Sequence, residues 1–373
     1  MIGDILDTVL ARNPDLGSIY PVGAAQVLNG FAAPRTFDQT GELFSGFAQV
    51  TWNLNDRQRL TVGGRYSEET KVARRTLNFT DNRANVLAYD ERFTPNGTIG
   101  VDYLLARFLN VTRQDITDGF NDEETFAPAI NYQFDLTDNA MTYINWSQGF
   151  KAAGFDVRSN RSVNTREIVN IWSPDLTFTP DPGTFAYDEE QSTTIEAGLK
   201  TRFAGGAAEL NVAVFQTKFD DLQVSIYDGV LGFNVGNAAE ATSQGIEIDG
   251  RWAMTDQLTL IGSFALLDFE FDDYANGQCT QAVRIARLAE GNTSRDCPYD
   301  GLTNQYVADY SGSFTLDYRT SLTSELDFNS ALDVIFTDEY HPTQNLDDSV
   351  KQDGYVKLNF RTSVSNSDGN WEV

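Results

Sequence analysis

The sequence predicts an all-β protein, a large antiparallel β-barrel that crosses a membrane. Three observations predict this class. Two segments would form strands far longer than those of soluble proteins, apolar and polar side chains alternate along most of the chain, and short turns alternate with long loops. A barrel wall needs such a pattern because one face of each strand meets lipid while the other meets a polar interior.

The longest strands are predicted at residues 207–254, which fold back near Asp228-Gly229, a pair typical of tight hairpin turns. In the returning arm Ile246 and Ile248 share one face, and Glu247 takes the other. Each arm of about 20 residues would extend about 65 Å, whereas soluble strands have 3–10 residues. Even when tilted by ~40°, such an arm crosses the ~25 Å apolar band of an outer membrane and continues beyond it.

Residues 1–42 are predicted to form an extracellular loop remnant. Ile2, Ile5 and Val9 have helical spacing, so a short amphipathic helix is expected at the start of this segment. Prolines and glycines between Pro14 and Pro34 then break the chain repeatedly.

Residues 43–373 are predicted to form part of a barrel, with eleven strands and the start of a twelfth at Trp371. The lipid-facing side of residues 141–150 stays open, because Tyr143 and Trp146 lie on opposite faces of that strand. The predicted strands are 43–54, 60–79, 126–136, 141–150, 193–202, 207–227, 233–252, 257–271, 307–318, 325–336 and 355–364.

Nine of these strands are justified by apolar residues at every second position. The apolar faces carry, in chain order, Phe44, Val50 and Trp52; Leu60, Val62 and Tyr66; Ile130, Tyr132 and Phe134; Ile195, Ala197 and Leu199; Leu210, Val212 and Val214; Ile246, Ile248 and Trp252; Phe314, Leu316 and Tyr318; Phe328, Leu332 and Val334; and Val356, Leu358 and Phe360.

The connections alternate strictly between short and long. Short turns are predicted near residues 55, 138, 205, 255, 320 and 367, and the long or distal ones at 80–122, 151–188, 228–232, 272–305 and 337–353. This asymmetry is typical of outer-membrane barrels, which have short periplasmic turns and long extracellular loops. A propeller would show a recurring motif at a fixed period, and a jelly roll or immunoglobulin array would need much shorter strands.

Composition excludes several classes. The 54 acidic and 27 basic residues give a net charge of −27, which argues against binding to a nucleic-acid backbone. The single histidine, His341, leaves no Ser-His-Asp triad or histidine-based metal site, so neither an enzyme nor a cofactor is expected. Pairs of aspartates in the loops could hold Ca²⁺, but none shows the spaced ligand series of a dedicated site, and solvated acidic loops are the simpler interpretation.

Both ends of the sequence suggest a fragment of an exported protein. The N-terminus lacks the basic start and apolar core of a secretory signal, and Trp371-Glu372-Val373 reads as the start of a further strand. Cys279 and Cys297 lie 18 residues apart in one polar segment. This spacing suits a loop-closing disulfide in an oxidising compartment, and two free thiols are the alternative.

Several motifs, taken in order, resemble one family. Residues 43–373 are similar to the C-terminal part of the barrel of TonB-dependent outer-membrane receptors. The resemblance rests on residues 47–54 with 60–66, Tyr143 to Lys151, Glu196-Ala197-Gly198-Leu199-Lys200, and above all Phe219-Asp220-Asp221-Leu222-Gln223 with Gly236-Asn237-Ala238 and Gly245-Ile246-Glu247.

The resemblance implies a barrel of 22 strands, of which this chain would supply about 11–12, with the plug domain and the last strand absent. It also implies residence in the Gram-negative outer membrane and import of a scarce nutrient, with a ferric siderophore as the default. The implied partners are TonB, reached through a missing N-terminal segment, the protein's own plug domain, outer-membrane lipid and the bulky ligand. No nucleic acid is expected.

Candidate site residues follow from the strand faces and the loops. The polar face is expected to contact the plug or to line a hydrated lumen through Arg65, Glu196, Lys200, Glu247, Asp249, Arg251, Lys357 and Arg361. Aromatic and imidazole side chains in the loops are candidates to meet the ligand, although local packing is the simpler explanation of any single aromatic residue and an ordinary exposed loop position that of the histidine: Trp172, Tyr227, Phe233 and His341.

Three rival hypotheses remain at this point. A passive diffusion porin would share the barrel but would need no plug. An adhesion or structural barrel would share it without transport. A soluble β-rich binding protein would instead pack the apolar strand faces into a second layer of its own.

Overall fold

The computed structural model describes residues 32–80, 114–158, 185–227, 233–292 and 296–373. Within these ranges eleven long strands form one antiparallel sheet, in which each strand pairs with its neighbours along the chain. The strands of the sheet are β1 Arg35–Asn55, β2 Gln58–Leu77, β3 Gln114–Thr137, β4 Ala140–Lys151, β7 Glu190–Phe203, β8 Ala208–Tyr227, β9 Phe233–Ala253, β10 Leu258–Asp273, β13 Tyr310–Ser321, β14 Leu326–Thr337 and β15 Tyr355–Asn366.

Shorter elements lie in the connections between these strands. Two small ladders, β5 Gly154–Phe155 with β6 Ala186–Tyr187 and β11 Gly277–Gln278 with β12 Asp296–Cys297, stand apart from the main sheet. One α-helix is described, α1 Gln281–Ala289. Among the described residues no helix is long and apolar enough to cross a bilayer.

All eleven predicted strands are present, and the antiparallel order is confirmed. A twelfth strand also begins as predicted, because Val373 and Val364 exchange backbone N–H···O bonds of 2.9 Å in both directions. The turn of residues 204–206 needs left-handed backbone, with φ angles of 53°, 67° and 91° at Ala204, Gly205 and Gly206.

Two boundaries were predicted wrongly. The strand β1 begins at Arg35, so residues 35–42 belong to the sheet and not to the loop remnant. The strand β3 begins at Gln114 and therefore includes residues 114–122, which the sequence assigned to a loop. These segments pair with residues 70–77 of β2. The helix expected near Ile2 lies outside the described residues.

The strand register separates an apolar face from a polar face. Val50, Val62, Ile130, Trp146 and Ile195 are successive neighbours across five strands of the apolar face. The adjacent positions on the polar face are Thr51, Thr61, Asn131, Asn145 and Glu196. Trp146 is therefore the lipid-side residue of β4, and Tyr143 lies on the polar face.

The apolar face is bare and has the height of a membrane. Trp52 is 49% exposed and Phe360 69% exposed, and no second layer of the described chain covers them. On β2 the apolar positions run between Gln58 and Glu68, which are ten residues apart. Ten residues extend about 33 Å along a strand, which is about 25 Å across the bilayer at a tilt of ~40°. The face therefore fits the hydrocarbon layer.

We expect a charge at the middle of the apolar face to be far more costly than the same charge on the polar face. Val62→Arg places a guanidinium in hydrocarbon and should destabilise the barrel by about 2–4 kcal/mol, whereas Thr61→Arg, one residue away on the polar face, should cost much less. Urea unfolding in lipid bilayers measures both. Equal losses for the two variants would contradict this assignment of the faces.

Candidate functional site

The eight candidate residues of the polar face lie on one side of the sheet. Glu196 is opposite Phe215, and Phe215 is opposite Gly245, so Glu247 and Asp249 continue the same face along β9. Ser263 and Ser313 carry it across β10 and β13 to β14 and β15. The residues that the register places there are Arg65, Glu196, Lys200, Glu247, Asp249, Arg251, Lys357 and Arg361.

Some charged side chains of the polar face are paired or hydrogen-bonded within it. Arg59 donates two hydrogen bonds, of 2.6 and 2.7 Å, to the carboxylate of Asp135. Arg361 lies 3.3 Å from Asp333. The Tyr143 hydroxyl donates to Glu196 at 2.6 Å. The polar face thus presents charges of both signs.

The polar face is concave, as the connection between β4 and β7 shows. We call residues 151–158 and 185–190 the stem. The Phe185 ring lies 6.2 Å from the Phe37 ring on β1. The Asp156 N–H donates to the Phe185 carbonyl, so these two residues are neighbours in the stem. The Asp156 carboxylate accepts a 2.8 Å hydrogen bond from the Val235 N–H on β9. Strands β1 and β9 are six pairings apart, about 29 Å along the sheet. One narrow stem touches both strands because the sheet curves around it.

The stem packs into a hydrophobic cluster on the polar side, above the membrane. Phe155 and Phe185, whose rings are 5.1 Å apart, bury Ala73 and Ile116. The guanidinium of Arg75 lies 5.4 Å from the Phe185 ring and is 1% exposed, and this burial lowers its pKa to about 10 against the opposing effect of Asp156. Lys71 fastens the stem by donating to the Ala153 carbonyl at 2.7 Å.

A second folded segment, described at residues 274–292 and 296–302, covers the polar side of β8 to β10, and we call it the cover. Its core is aromatic, with Phe271 5.0 Å from Tyr274 and Tyr274 5.3 Å from Tyr299. Cys279 and Cys297 form a disulfide inside this core, with an S–S distance of 2.03 Å. Burial raises the pKa of Tyr274 to about 12 and raises that of Tyr299 well above its usual value.

The helix α1 of the cover was missed by the sequence analysis. Thr280 caps it, accepting a 3.2 Å hydrogen bond from the Val283 N–H. A threonine before an apolar run that ends at Gly291 is a start-and-stop signal that could have revealed this helix. Arg287 ties the helix to the cover by donating to the Asp296 carbonyl at 2.8 Å.

The connection between β14 and β15 joins the cover. The Tyr299 hydroxyl of the cover donates to the Gln344 carbonyl at 3.2 Å, and the Gln344 amide donates to the Ser225 carbonyl of β8. The His341 carbonyl accepts a 2.8 Å hydrogen bond from the Tyr306 N–H. The His341 ring lies 3.0 Å from Asp348 and is 14% exposed, so it is occupied within its own loop. The stem, the cover and this loop thus all lie on the concave side of the sheet, where the loop contacts the cover and the stem packs on β1–β3, β8 and β9.

The other ligand candidates are only partly placed. Tyr227 and Phe233 pair through their backbones at the ends of β8 and β9. Trp172 lies outside the described residues. Within the described ranges no three His, Cys, Asp or Glu side chains are grouped so as to hold a metal ion.

We expect the disulfide to stabilise the cover and not the barrel. Replacing Cys279 and Cys297 by serine removes a loop constraint of roughly 3 kcal/mol, so amide hydrogens of the cover should exchange faster. Hydrogen exchange measures this, with the amides of β14 and β15 as the internal control. Unchanged exchange in the cover, or an equal increase in the control strands, would contradict the expectation.

We also expect the cover to lose stability in strong alkali. Tyr274 and Tyr299 stay protonated in the folded cover above pH 10, where an unfolded tyrosine loses its proton. The folded state then binds more protons, so stability falls as pH rises from about 10 towards 12. Near-ultraviolet circular dichroism of the detergent-solubilised protein reports the loss of aromatic packing. A signal that stays flat to pH 12, or that changes already below pH 10, would contradict this origin.

Similar proteins share this architecture. Residues 8–373 match the family model described as TonB dependent receptor-like, beta-barrel. The pesticin receptor of Yersinia enterocolitica is 22% identical over 214 residues, which are 57% of this chain and 24% of that receptor.

Solved structures agree in fold. The ferric yersiniabactin uptake receptor FyuA of Yersinia pestis has a TM-score of 0.56 at 15% identity, over 88% of this chain and 39% of that one. The siderophore receptor PiuA of Acinetobacter baumannii has a TM-score of 0.57 at 15% identity, over 90% and 38% of the two chains. This chain thus spans about a quarter of the curated relative and about two fifths of the solved chains. It belongs to the TonB-dependent receptor family, as part of the outer-membrane β-barrel of that family.

Proposed function

We propose that the protein is an active transporter of the outer membrane that takes up a scarce nutrient, most simply a ferric siderophore. The observation that carries this proposal is the arrangement of the loops. Stem, cover and the β14–β15 loop fold over the concave polar face, fastened there by Asp156, Lys71 and Gln344. Loops that served only to tether the strands would have no need of their own hydrophobic cores.

The relatives support a metal-complex cargo. FyuA is a ferric yersiniabactin uptake receptor and PiuA is a siderophore receptor. A copper transporter, OprC, has a similar fold with a TM-score of 0.51 at 13% identity, so cargo varies on this barrel. We therefore infer from the relatives that the cargo is a metal complex. We infer from this chain that the loops over the polar face bind it.

The polar face is proposed to hold the protein's own plug domain. Its residues of both signs, among them Arg65, Glu247 and Arg251, offer donors and acceptors to a polar partner without favouring one charge. TonB would then act on the plug through a segment on the periplasmic side. The barrel residues described here would bind and orient the plug, and TonB would supply the energy for transport.

Two other functions keep the same barrel. A passive porin would leave an open lumen, and an adhesion barrel would bind without moving its ligand. The folded cover and stem favour a receptor over a porin, because both segments narrow the mouth above the sheet.

The test is uptake by a deletion strain that carries the full-length protein on a plasmid. Cells are given one ⁵⁵Fe-labelled complex at a time, a hydroxamate, a catecholate or a carboxylate siderophore. We expect uptake of one class, lost when the proton gradient is collapsed or when TonB is absent.

Three outcomes would contradict the proposal. Uptake that survives loss of the proton gradient would indicate a porin. Binding without uptake would indicate an adhesin or a passive receptor. Absence of binding for every metal complex tested, copper complexes included, would remove the cargo class.

A further inference from the structure

An irregularity in the longest hairpin lies where the stem leaves the barrel. Phe219 of β8 pairs with Ala241 of β9, but the register then shifts twice before Gln223 pairs with Asn237. Asp221 takes a φ of +54°, in the left-handed region that residues with a Cβ rarely adopt. The bulge turns the Asp221 carbonyl out of the ladder, and this carbonyl accepts a 2.8 Å hydrogen bond from the Asn237 amide.

The Asn237 side chain binds the stem where it returns to β7. Its Oδ1 accepts from the Asp188 N–H at 2.7 Å, and its Nδ2 lies 2.9 Å from the Asp188 carbonyl. Nδ2 also lies 3.3 Å from the Glu189 carbonyl. The carboxamide thus pairs with both backbone groups of Asp188, its oxygen accepting from the N–H and its amide donating to the carbonyl, as a neighbouring strand would.

The Gln223 side chain binds both ends of the stem, the one that follows β4 and the one that precedes β7. Its Nε2 lies 3.0 Å from the Ala152 carbonyl, just after β4, and 3.0 Å from the Asp188 carbonyl, just before β7. Its backbone N–H donates to the Glu190 carboxylate at 2.9 Å. Gln223 and Asn237 together form what we call the clamp.

The clamp acts through side chains and not through the barrel ladder. The strands β4 and β7 stay paired up to Lys151 and Glu190 without it, so releasing the clamp loosens the two ends of the stem next to the sheet and leaves the wall intact. The stem beyond it carries Phe155 and Asp156 across the concave side to β1–β3 and β9. A change at the clamp therefore moves groups over the mouth that it does not touch.

We propose that Gln223 and Asn237 are positioning residues for ligand capture, which hold the stem across the mouth in the conformation that binds ligand. This inference rests on the proposed transport function for its ligand. Neither residue need touch the ligand. Their role is to fix the positions at which the two ends of the stem leave the sheet, after β4 and before β7.

The test uses a buried reporter thiol in the full-length protein on intact cells. Ala153 in the stem is 1% exposed, and the two native cysteines of this chain are bonded to each other. The thiol introduced by Ala153→Cys should therefore react slowly with a membrane-impermeant maleimide while the stem is seated. Ala186→Cys, at an exposed stem position, reports the amount of accessible protein.

Isosteric substitutions then break the clamp. Asn237→Asp and Gln223→Glu replace each donor amide by a carboxylate oxygen facing carbonyl oxygens. The matched control is Gln216→Glu, on the same strand, whose amide donates to Gln244 at 3.0 Å on the apolar side of the sheet.

We expect each clamp variant to speed labelling at Ala153→Cys about tenfold, the effect of losing one or two hydrogen bonds, while the control leaves it unchanged. Uptake of the ⁵⁵Fe complex that the parent protein transports should show a KM raised several-fold at unchanged maximal rate. A merely structural defect would instead lower the maximal rate with the amount of protein at the surface.

Unchanged labelling rates in both clamp variants would show that Gln223 and Asn237 do not hold the stem. An equal increase in Gln216→Glu would show that the effect is not specific to the clamp. Faster labelling with an unchanged KM overturns the role in capture. If the parent protein transports no ferric complex, both the transport function and the role in capture are contradicted. The labelling rates need no ligand, so they still decide whether the clamp holds the stem.

Discussion

The structure depends on one constraint: inside hydrocarbon, every backbone N–H and C=O must be bonded to another strand, because no water is there to bond it. The continuous antiparallel ladder from β1 to β15 meets that demand for the strands between its two edges. Once the ladder exists, side chains alternate between two faces at every position. Val62 and Ile130 then meet lipid, and Thr61 and Asn131, one residue away, meet the interior.

The same strands pass through two solvents, and their chemistry changes at the boundary. Below Glu68 the apolar face of β2 carries Leu60, Val62 and Tyr66. Above it the strands remain paired, and the outer face carries polar residues such as Asp122 and Glu124 of β3. In that upper region stability comes from new hydrophobic contacts on the concave side. The aromatic clusters around Phe185 and Tyr274 are built there, away from lipid.

Much of the wall could be predicted from sequence, because alternation and turn chemistry are local signals. The β9 arm, with Ile246, Ile248 and Trp252 on one face, is one such case. The polar starts of β1 and β3 could not be predicted, since nothing local distinguishes a strand in water above the membrane from a loop. The stem and the cover depend on contacts between residues as distant in sequence as Phe37 and Phe185. Gln223 and Asn237 were visible as motif residues, but their shared partner, Asp188, was not.

The most direct test of the account is a nitroxide scan along β9, one label at a time from Gly245 to Trp252, in the full-length protein in lipid bilayers. The account predicts accessibility with a period of two residues: labels at even positions collide with membrane-dissolved oxygen, and labels at odd positions, including Glu247, Asp249 and Arg251, are shielded from it. If labels at both parities were equally accessible to a water-soluble relaxation agent, or equally shielded from oxygen, the strand would not be part of a wall between lipid and a polar interior.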